Sequence, residues 1–139
     1  MKITADTNTL ISATFWHGDS EKIITKVENK EIELVLSKEV INEYVEVLNY
    51  NEIKDKIKDK NLEMKYSVQK IISISTIIEP QEKLDIVKDD SDDNKILECA
   101  KEGHVNFIIT NDSHLLNLKE FEGIKIITPK EFLNELNQY

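Results

Sequence analysis

Residues 1–12 of the chain read MKITADTNTLIS, and this stretch decides how the rest of the sequence is interpreted. Residues 3–5 form a short β-prone run that ends at Asp6, and three small polar residues follow before the chain becomes apolar again at Leu10. A charged carboxylate is costly at the end of a buried strand unless something compensates its charge. We therefore expect Asp6 to be one of several carboxylates that surround a divalent cation.

Length and composition indicate one folded unit. The chain has 139 residues, of which 40% are hydrophobic and 32% are charged, so we expect a single domain over residues 1–139. No apolar run approaches the roughly 18–20 residues that a membrane span needs, and the first residues lack a signal-peptide pattern. Cys99 is the only cysteine, which excludes an internal disulfide. These features predict a cytoplasmic protein without a membrane partner.

The charge balance limits how the chain could act on nucleic acid. The net charge is -9, and lysine supplies all 18 basic residues. A protein that binds nucleic acid by charge neutralisation alone is basic, so this chain would need a cation and local lysine patches. The densest lysine cluster is a candidate for RNA backbone contact, and its alternation with acids in a predicted helix also fits a solvated surface. It comprises Lys54, Lys56, Lys58 and Lys60.

The alternation of apolar patterns predicts the fold class. Short apolar runs predict strands at residues 3–5, 33–36, 75–78, 107–110 and 124–127, and helical spacing of apolar residues predicts helices between them. Strands separated by helices form right-handed crossovers and a parallel sheet whose two faces are covered. The sequence therefore predicts an α/β protein, a three-layer α/β/α sandwich around a central parallel sheet of four to five strands.

Four acids fall at one edge of the predicted sheet. Asp6 follows the first strand, and Asp112 lies two residues beyond the fourth. Asp93 stands at the start of a helix that leads to the fourth strand, and Glu43 lies within two turns of the end of the second strand. Because ligands of open α/β sheets bind outside the carboxyl ends of the strands, these acids should share one site.

Such a cluster needs compensation. Two carboxylates about 4 Å apart repel by roughly 4 kcal/mol at an effective dielectric constant of 20. Mg²⁺ or Mn²⁺ prefers oxygen ligands and would remove this repulsion, and it could also orient a water and hold a phosphate. Taken singly, Asp93 also fits a helix cap, Glu43 a solvated helix acid and Asp112 a turn residue.

With these acids located, the chain resembles the PIN-domain nucleases over essentially its whole length. Within that family it resembles the stand-alone toxins of bacterial and archaeal toxin–antitoxin pairs. The resemblance is carried by residues 5–13 (ADTNTLISA), 34–44 (LVLSKEVINEY), 90–100 (DSDDNKILECA) and 108–116 (IITNDSHLL). Ser91 and Asn111 depart from the residues common in relatives, but neither change removes an acid.

The resemblance implies a single-stranded RNA endonuclease that uses Mg²⁺ or Mn²⁺. It assigns Asp6, Glu43, Asp93 and Asp112 as catalytic, metal-binding acids, with Asp6 and Asp93 closest to the metal. It further implies a homodimer and a cognate antitoxin that masks the acidic pocket. Two polar residues would orient the acids as a supporting shell does, namely Asn8 and Thr110.

Other interpretations stay open at this point. A PIN-like module that binds RNA or protein without cutting is one, although it would have no reason to keep four mutually repelling acids. A Mg²⁺-dependent phosphatase is weaker, because Asn8 replaces the second acid of its Asp-x-Asp start. His114, two residues after Asp112, is interpreted as a surface or partly buried histidine, with substrate contact as the alternative.

Overall fold

The computed structural model describes residues 1–50, 61–88 and 91–138. Within these ranges strands and helices alternate from the first residues onward. In chain order they are β1 (Lys2–Ala5), α1 (Thr7–Phe15), α2 (Asp19–Glu28), β2 (Glu33–Ser37), α3 (Lys38–Leu48), α4 (Asn61–Ile74), β3 (Ser75–Ile78), α5 (Ser91–Glu102), β4 (Phe107–Ile109), α6 (Ser113–Leu116), β5 (Glu120–Phe121), β6 (Ile124–Ile127) and α7 (Pro129–Leu136).

The strands form one mostly parallel sheet in the order β3-β2-β1-β4-β6-β5. The four pairs β3-β2, β2-β1, β1-β4 and β4-β6 are all parallel. Helices flank the sheet, which confirms the predicted α/β sandwich. The short edge strand β5 was not predicted, and it pairs with β6 in the antiparallel sense. Glu122 and Gly123 connect the two with positive φ angles of 48° and 82°, a tight reversal that hydrophobic periodicity does not reveal.

The order of the strands creates a crevice at the centre of the sheet. From β1 the chain proceeds outward through β2 to β3 on one side, and β4 then pairs with the opposite side of β1. This reversal between β1 and β4 is a topological switch point, where α/β proteins place their ligands at the carboxyl ends of the strands. Asp6 follows β1 directly, and Thr110 follows β4.

The core lies on both faces of the sheet. Strand residues such as Ile3, Leu34 and Ile108 are buried, and the largest buried side chains of the helices include Tyr44 and Phe132. Helix α1 packs against α2 and α3, whereas α5 packs against β1, β2 and β4. Across the described ranges, no helix is long and apolar enough to cross a membrane.

Helix α5 begins at Ser91, so Asp93 lies inside its first turn. Its carboxyl end has a Schellman motif, since Val105 N–H donates to Ala100 O and His104 N–H donates to Lys101 O. The left-handed residue of this motif is His104, whose φ is 52°, and not the preceding Gly103. Gly103 is instead required by space, because a Cβ there would lie 2.7 Å from Val35 Cγ1.

Residues 84–87 have no regular secondary structure, and hydrogen bonds to side chains of α5 hold them against that helix. Asn94 Oδ1 accepts hydrogen bonds from Ile86 N–H at 2.9 Å and Val87 N–H at 2.8 Å, and Asn94 Nδ2 donates to Val87 O at 2.9 Å. One turn further on, Glu98 Oε2 accepts from Leu84 N–H at 2.9 Å. Asn94 and Glu98 are both buried, so these bonds replace the strand pairing that the segment lacks.

Candidate metal centre

Asp6 is held by two hydrogen bonds at the end of β1. It is the N-cap of α1, where its Oδ1 accepts from Thr9 N–H at 2.9 Å. Its Oδ2 accepts a short hydrogen bond, 2.5 Å, from Thr110 Oγ1. With only 7% of its surface exposed, Asp6 has a fixed carboxylate that lines the crevice between β1 and β4.

Thr110 connects Asp6 to the acid that follows β4. The buried Thr110 hydroxyl donates to Asp6 and at the same time accepts from Asp112 N–H at 2.9 Å. Asp112 in turn caps α6, because its Oδ1 accepts from His114 N–H at 2.8 Å and Leu115 N–H at 3.2 Å. One hydroxyl therefore sets the relative position of two acids that are far apart in sequence.

Helices α3 and α5 bring the remaining two acids. Ser37 ends β2 and caps α3 by accepting from Val40 N–H at 3.1 Å, and the buried residues Val40, Tyr44 and Leu48 fix the orientation of this helix. Glu43 consequently points to the crevice and is half-buried, while the buried Asp93 enters from the first turn of α5. All four predicted acids line one cleft, together with Thr7, Asn8, Val47, Asp92 and Ile96.

A lysine borders this acidic cleft. Lys95 Nζ lies 3.1 Å from a carboxylate oxygen of Asp92. The hydrogen bond to Asp92 raises the pKa of Lys95, partial burial opposes this effect, and the nearby charges of Glu43 and Glu39 raise the pKa further. The proximity of Lys95 to Glu43 depends on how α3 and α5 pack, so no functional role for Lys95 is predicted from sequence.

The predicted supporting residues behave differently from each other. Thr110 contacts Asp6 directly, as described above, whereas Asn8 lies exposed at the cleft. The second bond that orients Asp6 comes from Thr9 N–H instead of Asn8, because an N-cap carboxylate reaches the backbone amide three residues ahead. The predicted RNA-contacting lysines, Lys54, Lys56, Lys58 and Lys60, lie outside the described residues.

His114, interpreted from sequence as a surface or partly buried histidine, lies near two of the acids. Its Nδ1 lies 3.9 Å from Asp93 Oδ2 and 3.9 Å from Asp112 Oδ1. In the described part of the chain, Asp93, Asp112 and His114 form a group whose ligand atoms all lie within 4.8 Å of one another. The spacing Asp-x-His at 112–114 was the available signal, but the approach of Asp93 depends on the tertiary fold.

The donor set suits a divalent cation. Carboxylate oxygens are the ligands that hard cations such as Mg²⁺ and Mn²⁺ accept, and five carboxylates line this cleft, two of them near the imidazole of His114. Gathering so many negative groups around the crevice is unfavourable without a cation. The acidic cluster could therefore bind a metal, with Asp93 and Asp112 offering the most closely spaced oxygens.

Comparison with known proteins gives a consistent result. The family model of the PIN domain matches residues 2–114 of the chain. The crystal structure of PAE2754 from Pyrobaculum aerophilum has the same fold, with a TM-score of 0.62 over 100% of this chain and 91% of that one, at 15% sequence identity. No match was found among curated proteins.

Proposed function

Because this chain belongs to the PIN-domain family, whose members are generally nucleases, we propose that it is a metal-dependent endoribonuclease. It would hydrolyse phosphodiester bonds of single-stranded RNA with Mg²⁺ or Mn²⁺ as cofactor. One observation carries the proposal: Asp6, Glu43, Asp93 and Asp112 come from four separate stretches of the chain and line one cleft at the switch point of the sheet.

The chemistry follows from the acids and their supports. Asp6, Glu43, Asp93 and Asp112 would hold a divalent cation, which would lower the pKa of a water and neutralise charge on the phosphate. The Asp6 carboxylate is held by Thr110 and the Asp112 carboxylate by two amides at the start of α6, so both need little rearrangement to act. Glu43 is less buried than Asp6 and Asp93, which supports a role as the acid that would accept a proton from an attacking water.

A bound cation would also reduce the repulsion between the acidic protein and RNA. With a net charge of -9, the chain repels a polyanion at long range, and the four acids repel a phosphate at short range. A divalent cation in the cleft would neutralise part of this negative charge and offer a phosphate oxygen a direct positive partner. We therefore expect RNA binding, and not only cleavage, to depend on the metal.

A cleavage assay tests the proposal. A mixed single-stranded RNA pool is incubated with the protein and Mn²⁺ or Mg²⁺, with chelator, and with the variant Asp6→Asn. Metal-dependent cleavage that falls at least 100-fold in the variant supports the assignment. The matched control is Asp19→Asn, which removes a first-turn acid of α2 away from the cleft and should cleave like the wild type.

Each other outcome of this assay has a definite meaning. Undiminished cleavage by Asp6→Asn would contradict the role of the acids. Metal-dependent RNA binding without cleavage would favour a silent binding module. Hydrolysis of small phosphate esters with no RNA cleavage would favour a phosphatase, and preferential cleavage of single-stranded DNA would change the substrate.

The resemblance to toxins extends this proposal to partners. We propose that the protein is the toxin of a toxin–antitoxin pair, that it forms a homodimer and that its antitoxin covers the acidic cleft. Induced expression of the wild type should then stop bacterial growth, whereas Asp6→Asn, expressed at the same level, should not. Sedimentation velocity measures the oligomeric state, and a monomer at micromolar concentration would contradict the homodimer.

A further inference from the structure

The imidazole of His114 stands between two acids that belong to different elements. Its backbone N–H donates to Asp112 Oδ1 at 2.8 Å, which fixes the residue at the start of α6. Its ring atom Nδ1 is equidistant, at 3.9 Å, from Asp112 Oδ1 and from Asp93 Oδ2. The side chain is 46% exposed, so a small ion can reach the ring from solvent.

These distances are compatible with one shared cation. Ligand atoms that bind the same ion at about 2.1 Å each can be at most about 4.2 Å apart, and neighbouring octahedral ligands are about 3 Å apart. The two separations of 3.9 Å fall within this limit. Small side-chain adjustments would suffice to bring the three atoms, all within 4.8 Å of one another, to an ion.

We propose that His114 binds the catalytic cation through its imidazole, together with Asp93 and Asp112. This inference rests on the proposed function, since it concerns the cation of that site, and it adds a nitrogen ligand to an otherwise all-oxygen set. Mg²⁺ is bound almost entirely by oxygen, whereas transition-metal ions accept imidazole nitrogen readily. His114 therefore makes the site prefer Mn²⁺ to Mg²⁺.

The alternative role for His114 is a salt bridge with the two carboxylates when the ring is protonated. That role places the same atoms at the same distances but forms no bond between nitrogen and metal. A measurement that detects the nitrogen beside the ion therefore separates the two roles, even if the protein has no nuclease activity.

The test is pulsed electron paramagnetic resonance of the Mn²⁺-loaded full-length protein. A histidine nitrogen bound to Mn²⁺ produces ¹⁴N modulation of the spin echo, which changes in a predictable way when histidine is labelled with ¹⁵N. We expect this signal in the wild type and its loss in His114→Asn. The control His104→Asn should retain it, because asparagine tolerates the left-handed conformation at 104.

Metal titrations give a second readout. We expect His114→Asn to weaken Mn²⁺ binding about tenfold and Mg²⁺ binding by less than about twofold. Circular dichroism of the same samples shows whether the variant is folded, and His114→Gln provides a second substitution if it is not. Equal weakening for both ions, Mn²⁺ binding without histidine modulation, or no Mn²⁺ binding by the native protein would overturn the inference.

The two proposals fail in different ways. Histidine modulation without any RNA cleavage would leave the nitrogen ligand established and contradict the nuclease. Metal-dependent cleavage without histidine modulation would leave the nuclease established and contradict the role of His114.

Discussion

The hydroxyl of Thr110 donates a hydrogen bond to Asp6 Oδ2 across 104 positions of sequence, and both residues are buried. The same hydroxyl accepts from Asp112 N–H, so a side chain that presents no charge of its own organises two acids of the cleft. Loss of this hydroxyl should therefore affect both acids.

Thr110→Val should lower metal affinity by about 10- to 100-fold, because supporting residues of metal ligands have effects of this size. It should also cost about 1–3 kcal/mol in the free energy of unfolding, since Asp6 Oδ2 and Asp112 N–H lose a buried partner. Mn²⁺ titration and urea denaturation measure the two effects. Thr110→Ser keeps the hydroxyl and should retain metal affinity, and a serine variant as weak as the valine variant would contradict the role of the hydroxyl.

Asp6→Asn should change the free energy of unfolding by less than about 1 kcal/mol in metal-free buffer, because the relief of repulsion offsets the poorer partner that an amide gives to the Thr110 hydroxyl. Asparagine is as good an N-cap as aspartate, and it removes one charge from the acidic cleft. Asp6→Ala should instead lose about 1 kcal/mol, because Thr9 N–H then loses its cap. Thermal denaturation with excess chelator compares the two variants, and a large loss in Asp6→Asn would show that the carboxylate is structural.

Asn94→Ala should lower the free energy of unfolding by about 3 kcal/mol. The change leaves two backbone N–H groups and one carbonyl of residues 86–87 without their buried partner. Asn42→Ala is the matched control, since Asn42 is exposed on α3 and its replacement should change stability by less than about 0.5 kcal/mol. Similar losses in the two variants would argue against a special role for Asn94.

Tyr44 should make the protein less stable in alkaline solution. Burial raises the pKa of Tyr44 from 10.0 to about 12, and its hydroxyl bonds to Thr14 Oγ1. The unfolded chain releases this proton near pH 10 and the folded chain only near pH 12, so the stabilisation is complete below pH 10 and is lost as the pH rises to about 12.

The loss due to Tyr44 amounts to about 2–3 kcal/mol at most. Urea denaturation of the wild type and Tyr44→Phe at a series of pH values isolates this contribution, because the other titrating groups are common to both proteins. Equal pH dependence of the two proteins between pH 10 and 12 would contradict it.

The end of α5 gives a pair of opposite predictions. Gly103→Ala should cost about 1–3 kcal/mol, because the added Cβ would lie 2.7 Å from Val35 Cγ1 and 3.0 Å from Cys99 O. His104→Gly should gain up to about 1 kcal/mol, since glycine adopts the φ of 52° without a steric penalty. Chemical denaturation of both variants provides the test, and a stabilising Gly103→Ala would be inconsistent with the packing.

The sequence predicted what depends on local pattern. The parallel strands follow from their short apolar runs, and the cap at Ser37 follows from a small polar residue before helical spacing, whereas Asp112, interpreted as a turn residue, proves to be a cap as well. The position of Asp6 at a strand end was likewise readable, because an acid there is conspicuous. These features need no knowledge of which helix packs against which.

What the sequence could not predict depends on tertiary packing or on backbone torsion. The approach of His114 to Asp93 requires α5 and α6 to meet at the cleft, and no spacing within either helix encodes it. Strand β5 depends on a two-residue reversal with positive φ angles. At the end of α5, Gly103 is needed for its small size and His104 carries the left-handed torsion, and neither requirement can be read from local pattern.

The neighbouring strands β1 and β4 are separated by about a hundred residues of chain, and this has a consequence during synthesis. A ribosome that has made the first half of the protein has already produced Asp6 and Glu43, but not Asp93, Thr110 or Asp112. The cleft can assemble only after the last quarter of the chain begins to emerge. The proposed ribonuclease activity would therefore arise only when translation of the chain is nearly finished, which would spare the messenger until then.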